Sequence, residues 1–314
     1  MPEQITTRYS VYAALTGNVL VALTKFAAAA GTGSSAMLSE GFHSLVDSAN
    51  EILLLYGQSR AKAPADPQHP LGHGRELYFW SFVVAVLIFA LGAGLSIYDG
   101  IGQILHPTPI RNVTVTYIVY ALAFVIEAVS WYFGYANFRR SCGETGFWQE
   151  VRQSKDPPAL IVFFEDTADV LGILIAALGT AISVTLHSPL ADGVASLGIG
   201  ALLALTAALL ARESKGLLIG EPADAQTTTL IRDTVAKDQT VARTGDVLTV
   251  HLSPDQIFAA VTADFKTGIK VGELEKAILR IEREIKTKDP RVIALYVKPE
   301  AMQAGAGTKA VATR

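Results

Sequence analysis

Residues 78–98 read YFWSFVVAVLIFALGAGLSIY, an apolar run without a single charged side chain. A helix needs roughly 20 apolar residues to cross the hydrocarbon core of a bilayer. A helix buried in a water-soluble core rarely runs that far without a polar face. A chain built from such runs must fold around lipid. Its composition agrees: 50% of the 314 residues are hydrophobic and 18% are charged, whereas soluble domains carry about a quarter charged residues.

Six runs have this character, at roughly 10–30, 36–58, 78–104, 113–136, 159–185 and 189–212. They predict an α-helical polytopic membrane protein with six transmembrane helices. The last two runs are separated only by LHSPLADG (186–193). MPEQITTRYS lacks a basic stretch followed by a short apolar core and cleavage site, so the first run is expected to stay as a span.

Basic residues set the expected orientation. Arg60, Lys62 and Arg75 follow the second span, Arg139, Arg140, Arg152 and Lys155 follow the fourth, and Arg212 and Lys215 follow the sixth. The opposite side has Arg111 alone. The positive-inside rule then puts both termini in the cytoplasm, at the plasma or inner membrane in a bacterial cell. A net charge of −3 offers no basic surface for nucleic acid. The single cysteine, Cys142, excludes an intramolecular disulfide framework and a cysteine-rich zinc cage.

After about residue 216 the pattern changes. EPADAQTTTLIRDTVAKD reads as a short amphipathic helix, and DVLTVHL (246–252) and QIFAAVTADF (256–265) read as strands joined by a turn. VGELEKAILRIEREIK carries one apolar helical face, and RVIALYV closes as a strand. The domains are therefore expected at 1–215 in the membrane and at 216–300 as a small α+β, ferredoxin-like cytoplasmic domain, with 301–314 a disordered tail.

The second run contains SEGFHSLVDSANE (39–51), and residues four apart on a helix share a face. His43 and Asp47 form such a pair, with Glu40 and Asn50 extending the stripe. The fifth run repeats the spacing in Glu165 and Asp169, while Asp166 points about 100° away. A charge at the bilayer centre costs about 2.5–3.5 kcal/mol on insertion scales, so it needs a partner or a purpose. Two facing helices with such pairs can close a four-coordinate site of one imidazole and three carboxylates, which suits Zn²⁺. So much oxygen also suits harder ions such as Mn²⁺ or Fe²⁺. The structural alternative is that these groups pair with each other, or with Lys25 of the first span, and only fasten helices. Glu40, Asn50, Glu51 and Asp166 fit helix packing better than ligation.

The loop APADPQHPLGHGRE (63–76) holds Asp66, His69 and His73 at spacings that can bind a divalent cation, or can be a polar exposed loop. His106, His187 and His251 do not cluster with these.

Together, the HxxxD pair, the ExxxD pair, the DxxHxxxH loop, six spans and the α+β end resemble the cation diffusion facilitator family. SSAMLSEGFHSLVDSAN, DPQHPLGHG, LGAGLSIYDG, LHPTPI, SKDPPALIVFFEDTADVLG and SLGIGALL are most similar to its zinc transporter 9-like branch. The resemblance implies a homodimeric metal/proton antiporter that exports divalent transition metal, with His43, Asp47, Glu165 and Asp169 as the transport site. It also implies a second metal site at Asp66, His69 and His73, and no prosthetic group. Zinc-selective members usually place histidine at the position of Glu165, which leaves manganese, iron and cobalt as cargo alternatives. The family's cytoplasmic dinuclear site uses several histidines, and His251 stands alone after residue 216. That site is therefore expected to be missing and the domain to serve dimerisation. Two rival functions remain: an intramembrane hydrolase, disfavoured because HExxH is absent, and a non-transporting scaffold subunit.

Overall fold

The computed structural model describes residues 2–141, 151 and 154–301. Cys142, Arg152 and the tail from residue 302 lie outside the described residues, as do the side chains of Arg139 and Arg140. The chain divides into two compact units: residues up to Ala63 with Glu76–Lys215, and Pro64–Arg75 with the chain from Gly216 onward.

The first unit is helical. Its helices are α1 (Pro2–Thr32), α2 (Ser35–Ala61), α3 (Glu76–Leu87) continued through a π-helical segment (Ile88–Ala93) into α4 (Gly94–Leu105), α5 (Val113–Ser141), α6 (Pro157–Thr185) and α7 (Leu190–Ile219). Among the described residues, four stretches are long and apolar enough to cross a membrane: Glu76–Leu105, Val113–Ala136, Pro157–Thr185 and Leu190–Ile219. The protein is a multi-pass membrane protein. Of the other two expected spans, α1 contributes the shorter apolar stretch Asn18–Thr32, and α2 is interrupted by Glu40, Asp47 and Glu51.

Turn chemistry sets the start of α2. Gly33 takes a φ of +74°, which a side chain would resist, and Ser34 caps the helix by accepting from Met37 N at 3.2 Å. Asp192 of α7, fully buried, accepts from the Ser35 and Ala36 amides at 2.5 and 3.2 Å and from Ser34 Oγ at 2.9 Å. A carboxylate here meets unpaired amides and the positive end of the helix dipole. Ser35 Oγ also bonds the Asp99 carboxylate of α4 and lies 2.8 Å from Ser196 Oγ. Hydrogen bonds thus stitch α2, α4 and α7 together at the N-terminal end of α2. Small residues bring α4 and α7 into close contact, since a Cβ at Gly100 would lie 2.9 Å from the Gly193 carbonyl.

The second unit is a three-stranded sheet in the order β1 (Val241–Ser253), β2 (Gln256–Phe265), β3 (Val292–Pro299), with α8 (Ala225–Lys237) and α9 (Val271–Lys288). β1 and β2 form an antiparallel hairpin, whereas β3 pairs parallel to β2 through the crossover helix α9. The alternating sequence of β2 turns Ile257, Ala259, Val261 and Ala263 inward. They pack with Ile231 and Val235 of α8 and Ile281 and Ile285 of α9. The sheet is mixed, and β1 starts at Val241, five residues before the strand expected from sequence.

Asp289 pins this core. Its carboxylate accepts from Arg291 Nε at 2.9 Å, from Arg291 Nη2 at 2.8 Å and from Thr227 Oγ1 of α8 at 2.8 Å. The hydrogen bonds from Arg291 hold the Asp289 carboxyl below the usual carboxylate range. A carboxyl shifted downward stabilises the fold above its unfolded value, near 4, and loses that contribution as pH falls through the folded value. The protection factors of the β3 amides, corrected for the intrinsic exchange rate at each pH, should therefore fall on acidification below about pH 4, and Arg291→Met should flatten that dependence. An unchanged pH profile in the variant would contradict the assignment.

Candidate metal centre

The polar stripe of α2 faces protein, not lipid. Glu40 and Asn50 are fully buried and His43 is 3% exposed. Asp169 of α6 is 5% exposed and turns toward them. His43 Nε2 lies 3.4 Å from Asp169 Oδ1 and 3.8 Å from Asp47 Oδ2. One ligand atom from each of these residues falls within 4.8 Å of the others. All three atoms are buried and make no hydrogen bond among the described residues. Buried polar groups are nearly always paired, because each unpaired one costs about 1–3 kcal/mol. Three that converge on one point describe a grip for something that can bond all of them. One imidazole and two carboxylates suit a divalent transition cation, with a coordination position left open.

Glu165 stands outside this cluster. Its Oε1 accepts from Asn50 Nδ2 at 2.6 Å, so the expected four-residue set is three residues plus a carboxylate held by an amide. Glu165 comes one turn before Asp169 on α6, and Asn50 comes nearly two turns after His43 on α2. The antiparallel helices therefore present this pair as the next layer toward the C-terminal end of α2.

Between these layers and that end lies a cavity of about 280 Å³. Asp47, Glu51 and Gln58 of α2, Glu127 and Ser130 of α5, and Glu165, Asp166 and Asp169 of α6 are among its lining residues. Asp166 accepts from Ser130 Oγ at 3.1 Å, and Glu51 from Asn18 Nδ2 at 3.3 Å. Both lie on the cavity wall. Glu127 was not singled out from the sequence. It is 8% exposed and forms no hydrogen bond among the described residues. Its signal was a lone acid within the apolar run AFVIEAVS. The Lys25 pairing weighed as the structural alternative also forms: Nζ lies 3.1 Å from Glu40 Oε2. It engages Glu40 and leaves His43 and Asp47 to the cluster.

The loop residues form a second group, within the other unit. Ligand atoms of Asp66, His69 and His73 also lie within 4.8 Å of one another. Asp66 Oδ1 accepts from the Gln68 and His69 amides at 2.8 and 2.6 Å, an Asx-type turn that folds the loop on itself. The bond from the His69 amide, ahead of that from Gln68, holds the Asp66 carboxyl below its ordinary range, favouring the anionic form a metal requires. His73 Nδ1 donates to the Pro64 carbonyl at 3.1 Å, which directs Nε2 toward Asp66 Oδ2, 3.5 Å away. A carbonyl that fixes the tautomer in this way is the usual support of a metal-binding histidine. His251, buried in β1, is not part of this group.

Residues 11–219 match the cation efflux transmembrane domain. The chain belongs to the cation efflux family. It is 34% identical over 257 residues to the human mitochondrial proton-coupled zinc antiporter SLC30A9, covering 81% of this chain and 45% of the relative. Its Xenopus laevis counterpart is 33% identical over 265 residues, 82% of this chain and 47% of the relative. Metal tolerance protein C4 of Arabidopsis thaliana is 29% identical over 258 residues, 82% of this chain and 56% of the relative. The chain thus spans about half the length of these curated relatives, and its place is in the zinc transporter 9-like branch.

Asn50 holds the Glu165 carboxylate through its Nδ2 hydrogen bond. Asn50→Leu should leave the buried Glu165 carboxylate without its donor and lower unfolding stability by about 1–3 kcal/mol. A thermal melt of the detergent-solubilised protein measures this, and an unchanged melting point would contradict it.

Proposed function

We propose that this protein exports a divalent transition-metal cation, with zinc as the first candidate, in exchange for protons. The observation that carries this reading is the convergence of three buried ligand atoms from α2 and α6, none of them hydrogen-bonded among the described residues, inside a cation efflux domain. The relatives named as proton-coupled zinc antiporters support the choice of ion and of coupling. We read α1 and α2 as crossings alongside the four apolar ones, so that six helices span the bilayer. The basic residues near Arg60 and Lys215 support cytoplasmic termini. The cavity then faces the cytoplasm, and the stitched end of α2 around Asp192 faces away from it.

In this reading a cation enters along the carboxylate-lined cavity, passes Glu165 and is gripped by His43, Asp47 and Asp169. Glu165 completes the set by leaving Asn50. Ligands bind in deprotonated form, so loading releases protons, and protons arriving from the far side release the ion. Histidine has a reference pKa near 6.5, which makes such exchange feasible at neutral pH. A proton gradient is then sufficient to drive export, and the sequence has no GxxxxGK[ST] motif for nucleotide. We assign the second unit, a variant of the ferredoxin-like plan, to homodimer formation, and the Asp66–His69–His73 group to a supporting metal site.

Reconstituted vesicles with a pH gradient test this function. The intact protein should accumulate zinc, and Asp47→Ala and Asp169→Ala should each lower the rate by at least about a hundredfold while the protein stays folded, since either removes a ligand from a three-residue grip. His69→Ala with His73→Ala should lower it only partly. Competition with manganese, iron, cobalt and cadmium ranks the cargo. Normal flux in both aspartate variants would overturn the site, and a chain that moves no ion would be a scaffold.

A further inference from the structure

Lys25 is fully buried in α1. Besides its 3.1 Å contact to Glu40, its Nζ donates to Ser44 Oγ at 2.7 Å. Ser44 lines the same cavity as Asp47 and Asp169, and Glu40 and Ser44 flank His43 along α2. The other oxygen of Glu40 is buried without a hydrogen bond and lies against Gly172 of α6, one turn beyond Asp169. A Cβ at Gly172 would overlap that oxygen, so the glycine lets the carboxylate rest on the α6 backbone. The ammonium–carboxylate pair is therefore built into the wall of the ligand cluster, on its side away from the Asn50–Glu165 layer.

Helix fastening alone does not account for this pair. A buried ion pair contributes little net stability and can often be replaced by apolar side chains of similar volume. Leucine and methionine would fill the space without carrying charge into hydrocarbon. What they would not supply is a fixed positive charge beside Asp47 and Asp169, in a region that also holds Glu127 and Glu165. Such a charge opposes part of the attraction that these carboxylates exert on an incoming cation.

We propose that Lys25 is a positioning residue that tunes the affinity of the metal site: an internal, tethered cation that keeps the carboxylates around His43 from holding a divalent ion too tightly to release. Glu40 anchors it there, and Ser44 aims it toward the cavity. The proposal rests on the reading of the His43–Asp47–Asp169 cluster as the transport site.

Zinc titration calorimetry on the full chain carrying His69→Ala and His73→Ala, together with vesicle flux, tests it. Lys25→Met should bind zinc at the remaining site about tenfold or more tightly and move it more slowly at saturation, because one opposing charge is gone. Glu40→Gln should bind about tenfold or more weakly, since Lys25 then acts uncompensated. Lys25→Arg should resemble the parent. Lys25→Gln, which keeps a donor for Glu40 without the charge, carries the same expectation as Lys25→Met if the latter fails to fold. Structural damage weakens binding in every variant, so a gain in affinity with a loss of turnover separates the two roles. Parent-like affinity in Lys25→Gln, or weaker zinc binding there, would overturn the proposal. If the parent binds zinc yet moves none, the transport reading fails, while the ranking of affinities still decides the role of Lys25.

Discussion

An imidazole and several carboxylates buried in a helical bundle that otherwise faces lipid must be satisfied from within. That requirement organises the membrane unit. Each such group in hydrocarbon costs a few kcal/mol unless it is paired, and α2 carries Glu40, His43, Asp47 and Asn50 along one face. The surrounding helices supply the partners: Lys25 from α1 for Glu40, and Glu165 from α6 for Asn50. His43, Asp47 and Asp169 are left facing one another with ligand atoms unspent. Glu40 and Asn50 each keep one bonded partner, and only His43, Asp47 and Asp169 bring their unbonded atoms together at one point.

The same helix differs at its two ends. At its start, the Asp192 carboxylate takes up its first amides, and Ser35 ties it to Asp99 and Ser196. Toward its end, Glu51 and Gln58 line an open cavity with Glu127, Asp166 and Glu165. The ligand cluster is thus closed by hydrogen bonds on one side and reached past carboxylates on the other. The bonds to the Asp192 carboxylate each contribute about 1.5–3 kcal/mol net, as hydrogen bonds to a charged group do.

Much of this was legible in the sequence where periodicity and chemistry coincide. The HxxxD spacing put His43 and Asp47 on one face, and hydropathy located every helix of the membrane unit within a few residues except the start of α1 and the ends of α5 and α7. The alternation of β2 and the apolar face of α9 are plain in QIFAAVTADF and VGELEKAILRIEREIK. Spacing could not say which partner each ligand prefers. Glu165 has the same i, i+4 relation to Asp169 as His43 has to Asp47, yet Asn50 reaches it across the helix pair, a choice set by helix rotation. The Lys25–Glu40 contact, the exposure of Glu127 to the cavity and the capping by Asp192 link residues 15 to 158 positions apart and depend on packing alone. The loop group was readable because all its members lie within eight residues.

X-ray absorption at the zinc edge, on the zinc-loaded full chain carrying Asp66→Ala, His69→Ala and His73→Ala, tests the central claim most directly. One zinc per chain is expected, with one imidazole nitrogen and otherwise oxygen at about 2.0–2.2 Å. Two or more imidazoles in the shell, a sulfur neighbour, or no retained zinc would contradict it.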